Sequence, residues 1–270
     1  MENILGCIFS EYDSRDYTLK TTKVELPVAF ERKLIIPVKN QRSVSSCVAH
    51  ACSSILEYHT NPHKQLSTNF IYGIQKELFN REGKGMILRD ACKIIANYGS
   101  PEVHLCPGNT EVPKCHEIAS EAMSNNTTIE NAWQYRVLKY FKCSTIEDIK
   151  YSVYTYGPVL IAYKWYDEYI VKNGVLTGEQ KTYSGGHALM VYGWNETGLL
   201  IQNSWGINWG SYGRCIIPYS IKFKEAYGIV DATNEEVKNL KEPIKNSIAN
   251  LIYKGINWLV NIIRKLLKIE

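Results

Sequence analysis

The period of the apolar residues changes once along this chain, and that change limits the fold more than any other feature. Up to about residue 97 apolar side chains recur at three- and four-residue spacing, the repeat of a helix with one buried face. The pattern predicts helices from Cys47 to about His59, from Thr68 to about Phe79 (TNFIYGIQKELF) and from Leu88 to about Asn97 (LRDACKIIAN). Ahead of them LPVAFERKLIIPV reads as an extended entry, because Pro27 and Pro37 both oppose helix. Residues 107–128 read as a connection rich in proline and asparagine. The runs around and beyond it are short, β-branched or aromatic, and cut by glycine and asparagine: AWQYRVLKYFKC, GPVLIAYKW, GGHALMVYGWN, GLLIQNSWG and GRCIIPYS. One helix, STIEDIKYSVYTYG, interrupts them, with Ser144 as its cap and Glu147 three residues later. This texture predicts an α+β protein of two lobes, one helical and one of mostly antiparallel strands.

Charge and cysteine usage narrow the function. Thirty-one basic against 27 acidic residues give a net charge of +4, too mild and scattered for a nucleic-acid surface. The opening MENILGCIFSEYDSRDY lacks a basic n-region, and Glu11, Asp13, Arg15 and Asp16 interrupt its apolar piece. The expectation is therefore no signal peptide and cytoplasmic synthesis, in a microbial cell or for a phage particle. No stretch before residue 240 is apolar enough to span a bilayer. The eight cysteines, at 7, 47, 52, 92, 106, 115, 143 and 215, read as buried apolar thiols and not as a disulfide scaffold. Cys106, Cys115 and His116 lack a paired short-spaced knuckle, so no metal site is expected. Sequons at Asn125, Asn126 and Asn195 read as surface loops.

One constellation carries chemistry. PVKNQRSVSSCVAHAC, residues 37–52, is polar and turn-rich until Cys47 and then turns helical, which puts Cys47 in a first helical turn. Unpaired N–H groups and the helix dipole favour a thiolate there. A cysteine nucleophile needs an imidazole to take its proton and a third group to hold that imidazole. Of the histidines at 50, 59, 63, 104, 116 and 187, only His187 sits in an apolar strand-like run; the others read as helix surface or loop. Sixteen residues on, QNSWG offers Asn203 as an acceptor for an imidazole N–H and Trp205 as a shield. Gln41, six residues before Cys47, supplies an amide that can join the Cys47 N–H in holding an oxyanion.

The set PVKNQ…SC…A, GGHALMVYGW and QNSWGINWGSYGRCIIP resembles the papain family of cysteine peptidases, from about Leu26 to Asp231, most specifically over Asn203 to Gly213. That resemblance implies a papain-like two-lobe fold, a helical lobe facing a β-barrel-like lobe across a cleft. It makes Cys47 the nucleophile, His187 the general base and acid, Asn203 its orienting partner and Gln41 the oxyanion donor. Ser45, Gly85, Gly186 and Trp205 correspond to substrate-binding positions, Gly85 on the strand that pairs with substrate backbone. Val44 and Val48 stand where plant and lysosomal members carry a cysteine and an aromatic, and Ser45 replaces a glycine. The loop disulfide is therefore absent, which fits a reducing compartment or a microbial branch resembled by DSRDYTL, SCVAHA and GGHA.

The implied function is cysteine endopeptidase activity on protein or peptide substrates, with no cofactor. Two rivals stand beside it: a transpeptidase or amidase using the same residues, and a peptide-binding or assembly protein. The expected organisation is an N-terminal arm at 1–25, a peptidase domain at 26–232 (helical lobe about 44–125, β lobe about 126–232 plus 26–43), and a tail at 233–270. The arm is shorter than the family's long inhibitory leader, so either activity is restrained otherwise or residues 1–25 cover the cleft. In the tail, KEPIKNSIANLIYKGINWLVNIIRKLLKIE reads as an amphipathic helix over 241–270, with Lys245, Lys254, Arg264, Lys265 and Lys268 on its polar side. Such a helix suits packing or self-association, a membrane surface, or a partner or particle.

Overall fold

The computed structural model of the chain describes residues 4–14, 16–18 and 24–231; the tail helix expected over 241–270 lies outside them. In chain order the first half contains β1 (Cys7–Ile8), β2 (Phe30–Glu31), α1 (Cys47–His59), α2 (Thr68–Gly73), α3 (Gln75–Phe79), β3 (Met86–Ile87), α4 (Leu88–Asn97), α5 (Val112–Ser124) and α6 (Asn126–Trp133). The second contains β4 (Val137–Lys142), α7 (Ile146–Thr155), β5 (Val159–Tyr166), β6 (Ile170–Lys172), β7 (Val175–Thr177), β8 (Tyr183–Trp194), β9 (Gly198–Gln202), β10 (Arg214–Pro218) and β11 (Phe223–Asp231). The main sheet runs β4-β11-β5-β8-β9-β10-β7-β6, with β2 on β8, and is antiparallel except between β10 and β7. This is the expected α+β architecture.

Two cores share this sheet. Along β5 and β8, Leu160, Ala162, Ala188 and Met190 point into a core with α1, α2 and α4. The alternate residues Val159, Ile161, Tyr163, Leu189 and Val191 point into a second core with Ile149 and Val153 of α7. Both faces of these strands are dry, which is why their sequence runs are continuously apolar. Helix α1 is buried almost all round, and its small Ala49, Ala51, Cys52 and Ser53 let it lie against both sheet and helices. Its first turn is thereby pinned beside β8, where Ala188 shares its core.

Several local expectations need correction. Residues 107–128 are mostly helical: Pro113 opens α5, and Asn125 caps α6 by accepting from Thr128 N at 3.2 Å. Proline and asparagine there are helix-start signals. The helix expected over 68–79 divides at Ile74 into α2 and α3. The cap of α7 is Thr145, in a reciprocal box with Asp148, and not Ser144 with Glu147. His116 is no surface histidine; it is 4 % exposed between α5 and α2 and donates from Nδ1 to Gly73 O at 2.8 Å. All eight cysteines are free and buried. Among the described residues no helix is long and apolar enough to cross a membrane.

Candidate active site

Strand β9 pairs antiparallel with β8 and ends at Gln202, opposite Met190, so the next residue, Asn203, lies close to His187. The bond between them is His187 Nε2 to Asn203 Oδ1, 2.8 Å. Which atom holds the proton follows from a third partner: Asn203 Oδ1 also accepts from Ser204 N at 2.7 Å. An oxygen fixed as acceptor needs a protonated Nε2, which leaves Nδ1 with its lone pair. That Nδ1 is buried and has no hydrogen-bond partner. Trp205 stacks on the ring at 4.3 Å and Trp165 meets it edge-on at 4.9 Å. Burial pushes the imidazolium's pKa down to about 4, against the opposing pull of Asn203.

Gln41 comes from the loop before α1 and is tied to the same strand end. Its N–H donates to Ser204 O at 2.8 Å, and its Oε1 accepts from Ser204 Oγ at 2.6 Å. With the oxygen so held, Nε2 is aimed into the site, where it donates to Val44 O at 3.0 Å and Ile4 O at 2.9 Å. Cys47 begins α1 and is fully buried. The backbone N–H groups of Ala188, Gly6, Val48 and Cys47 itself favour its thiolate, yet burial outweighs them and pushes the thiol up to about 11. The helix terminus alone predicted a thiolate; the correction is that part of the chain itself dries the sulfur.

That part is the N-terminal arm. Over its described residues, 4–14 and 16–18, it crosses the site: Ile4 O sits on Gln41 Nε2, Gly6 lies at Cys47, and Gly6 O accepts from Met86 N at 2.8 Å. Strand β1 then runs parallel to β3, Cys7 against Met86 and Ile8 against Ile87. Further on, Ser10 N donates to Glu225 at 2.9 Å, and Arg89 grips Asp16 with two bonds of 2.8 and 2.6 Å. Tyr17 O accepts from Lys142 N at 2.8 Å. The approach is so close that a Cβ on Gly6 would stand 2.1 Å from Ser45 O, and one on Gly186 2.1 Å from Cys7 O.

The structure thus brings Gln41, Cys47, His187 and Asn203 into one site, with Trp205 on the imidazole and Ser45 and Gly186 against the arm. Gly85 precedes β3, also beneath the arm, its Cβ position 2.8 Å from Gly6 O. The sequence reading missed Ser204, which joins Gln41 to Asn203 although it lies inside the quoted QNSWG. It also missed Trp165, which only the pairing of β5 with β8 carries to His187.

A family profile described as papain family cysteine protease matches residues 27–233. A gut-specific cysteine proteinase of Caenorhabditis elegans is 33% identical over 113 residues, 40% of this chain but 33% of that protein. An uncharacterised peptidase C1-like protein of Acanthamoeba polyphaga mimivirus is 25% identical over 256 residues, covering 79% of this chain and 81% of its own. Among solved structures, xylellain, a cysteine protease from Xylella fastidiosa, superposes with a TM-score of 0.75 at 20% identity, over 85% of this chain and 96% of that one. Procathepsin B from Trypanosoma congolense does so at 0.68 and 18%, over 85% and 87%.

Proposed function

The chain belongs to the papain family of cysteine proteases, and from that premise we propose that it is a cysteine endopeptidase working through Cys47, His187 and Asn203. The observation that carries this reading is the bare, buried Nδ1 of His187, fixed as an acceptor by Asn203 and Ser204, in the residue before Ala188, whose N–H bonds the Cys47 thiol at a helix N-terminus. Nδ1 takes the thiol proton, and the sulfur attacks a peptide carbonyl. The oxygen that gains charge is held by Gln41 Nε2 and the Cys47 N–H. His187 returns the proton to the leaving amine, and water hydrolyses the thioester with His187 again as base. Asn203 and the stacked Trp205 hold the ring's tautomer and keep water from that bond.

The arm is the natural restraint on this site. A substrate's leaving amine departs on the His187 side, so a cleavable chain runs N to C from the β3 side toward Trp165 and Ser184. The arm runs the other way: Ile4 and Leu5 lie with Trp165 and Ser184, and Cys7 and Ile8 lie on β3. It therefore covers Cys47 and takes the oxyanion donor's hydrogen bond without presenting a bond for attack.

The reading is tested by treating the full chain with an epoxysuccinyl inhibitor of papain-type enzymes and locating the adduct by mass spectrometry. Modification of Cys47 alone among the eight cysteines is the expected result. A folded protein modified elsewhere, or equally well after Cys47→Ala, refutes it. The Ser204 hydroxyl has its own signature. Ser204→Ala leaves the Gln41 amide free to turn, so kcat is expected to fall by about five- to tenfold with little change in KM, since one oxyanion donor is misaimed but not lost. An unchanged kcat means that Val44 and the backbone orient Gln41 unaided.

A further inference from the structure

Beyond His187 the cleft opens into a pocket whose chemistry bears on which residue can follow the scissile bond; the argument rests on the peptidase reading above. The pocket is about 480 Å3 and is walled by Ser45, Trp165, Tyr166, Asp167, Tyr169 and Ser184. Its place follows from the sheet: Trp165 pairs with Gly185, each two residues along its strand from the Tyr163–His187 pair, and Tyr166 pairs with Tyr183 just beyond, while Trp165 touches the His187 ring itself. Ile4 and Leu5 of the arm border it and leave it open. A peptide leaving past His187 must send its next side chain here.

Three features set what that side chain is. Trp165, Tyr166 and Tyr169 pack edge to face, with centroids 5.4 Å apart from Trp165 to Tyr169 and from Tyr166 to Tyr169, which makes an aromatic wall for a long aliphatic stem. Asp167 is the only acidic or basic group among the described residues lining the pocket. Its main chain is anchored by a 3.0 Å bond from its N–H to Thr182 O, and its Oδ1 accepts from the Ser184 hydroxyl. The nearby Lys164 lies over the Tyr183 ring at 5.7 Å, and Lys181 pairs with Glu179, so neither neutralises Asp167 directly.

We propose that Asp167, on its aromatic wall, selects substrates with lysine or arginine immediately after the scissile bond and disfavours acidic residues there. The aromatic faces hold the stem and stabilise a cation, and the carboxylate takes its charge. Because the pocket is open, the preference is electrostatic and modest, and it is screened by salt.

The experiment uses full-length protein and quenched peptides randomised on the acyl side, with lysine, norleucine or glutamate after the scissile bond. The arm competes with all three alike, so ratios of kcat/KM are independent of it. Lysine is expected to exceed glutamate by about tenfold, from two opposite charge effects of a few fold each. Asp167→Asn is expected to bring the ratio within about twofold, and 0.5 M salt to compress it in the wild type only. Turnover with equal lysine and glutamate rates, or a ratio that survives Asp167→Asn, overturns the proposal. Turnover of none of the three overturns the peptidase reading instead. Isothermal titration of the same peptides into full-length Cys47→Ala then decides the pocket alone: tighter binding of the lysine peptide upholds it, while equal binding or none overturns it.

Discussion

Cys47→Ala is expected to abolish peptide hydrolysis, lowering kcat by roughly 10^5- to 10^6-fold, the range seen when one member of a nucleophile-base unit is removed. The sulfur is fully buried at the first turn of α1, and alanine fits the same space with the loss of one atom's packing. The fold should persist, at a cost on the order of 1 kcal/mol, and an unchanged circular dichroism spectrum is the control. His187→Ala should cost a similar factor, and on the proposed reading, in which the two residues act as one proton-transfer unit, the double variant should be no worse than either single one. Stopped assays on fluorogenic peptides measure all three. Additive losses would falsify the unit, and residual activity within tenfold of wild type would remove Cys47 as nucleophile.

Much of this site is legible in the sequence because its residues are constrained locally. A cysteine after a turn-rich loop, a histidine after two glycines in an apolar run, and an asparagine before SWG each announce a local backbone as well as a side chain. The two helices over 112–133 were not legible, since proline and asparagine are punctuation that reads as a loop unless the apolar period behind them is followed. Strands β6 and β7 are three residues each, too short for a period. The ionisation of Cys47 was misjudged for a different reason. A helix terminus acts on its own residue, whereas drying by Ile4 to Ile8 is a contact between segments 40 residues apart, and no local pattern reports it. Ser204 shares that cause, because it reaches the site through Gln41, 163 positions away.

Gly6→Ala is expected to release the arm and raise the activity of the full-length chain by about a hundredfold. The methyl group would stand 2.1 Å from Ser45 O and 2.4 Å from its carbonyl carbon, both backbone atoms that cannot turn aside. The docked arm must shift, while the rest of the protein is untouched. A penalty of about 3 kcal/mol on the docked form multiplies the open population by roughly 10^2. Asp16→Asn reaches the same end from the other anchor: it leaves the Arg89 guanidinium, with its side chain 10% exposed, without its carboxylate in the docked form only. The two variants should give increases of the same order, in activity and in the rate at which iodoacetamide alkylates Cys47. Acid should mimic them. The docked arm packs over Gly185 and Gly186 next to His187, and with burial holding that imidazole's pKa down at about 4 the docked state resists a proton that an opened site accepts closer to the ordinary value of about 6.5. Docking therefore weakens as pH falls from about 6.5 toward 4. At Glu225 burial raises the carboxyl's pKa while the bonds from Ser10 of the arm lower it, so its two effects on docking oppose each other. With the larger shift on His187, the ratio of Gly6→Ala to wild-type activity should shrink as the pH is lowered across that range. A ratio of one at neutral pH, with both variants folded, would show that the arm lies over the site without restraining it.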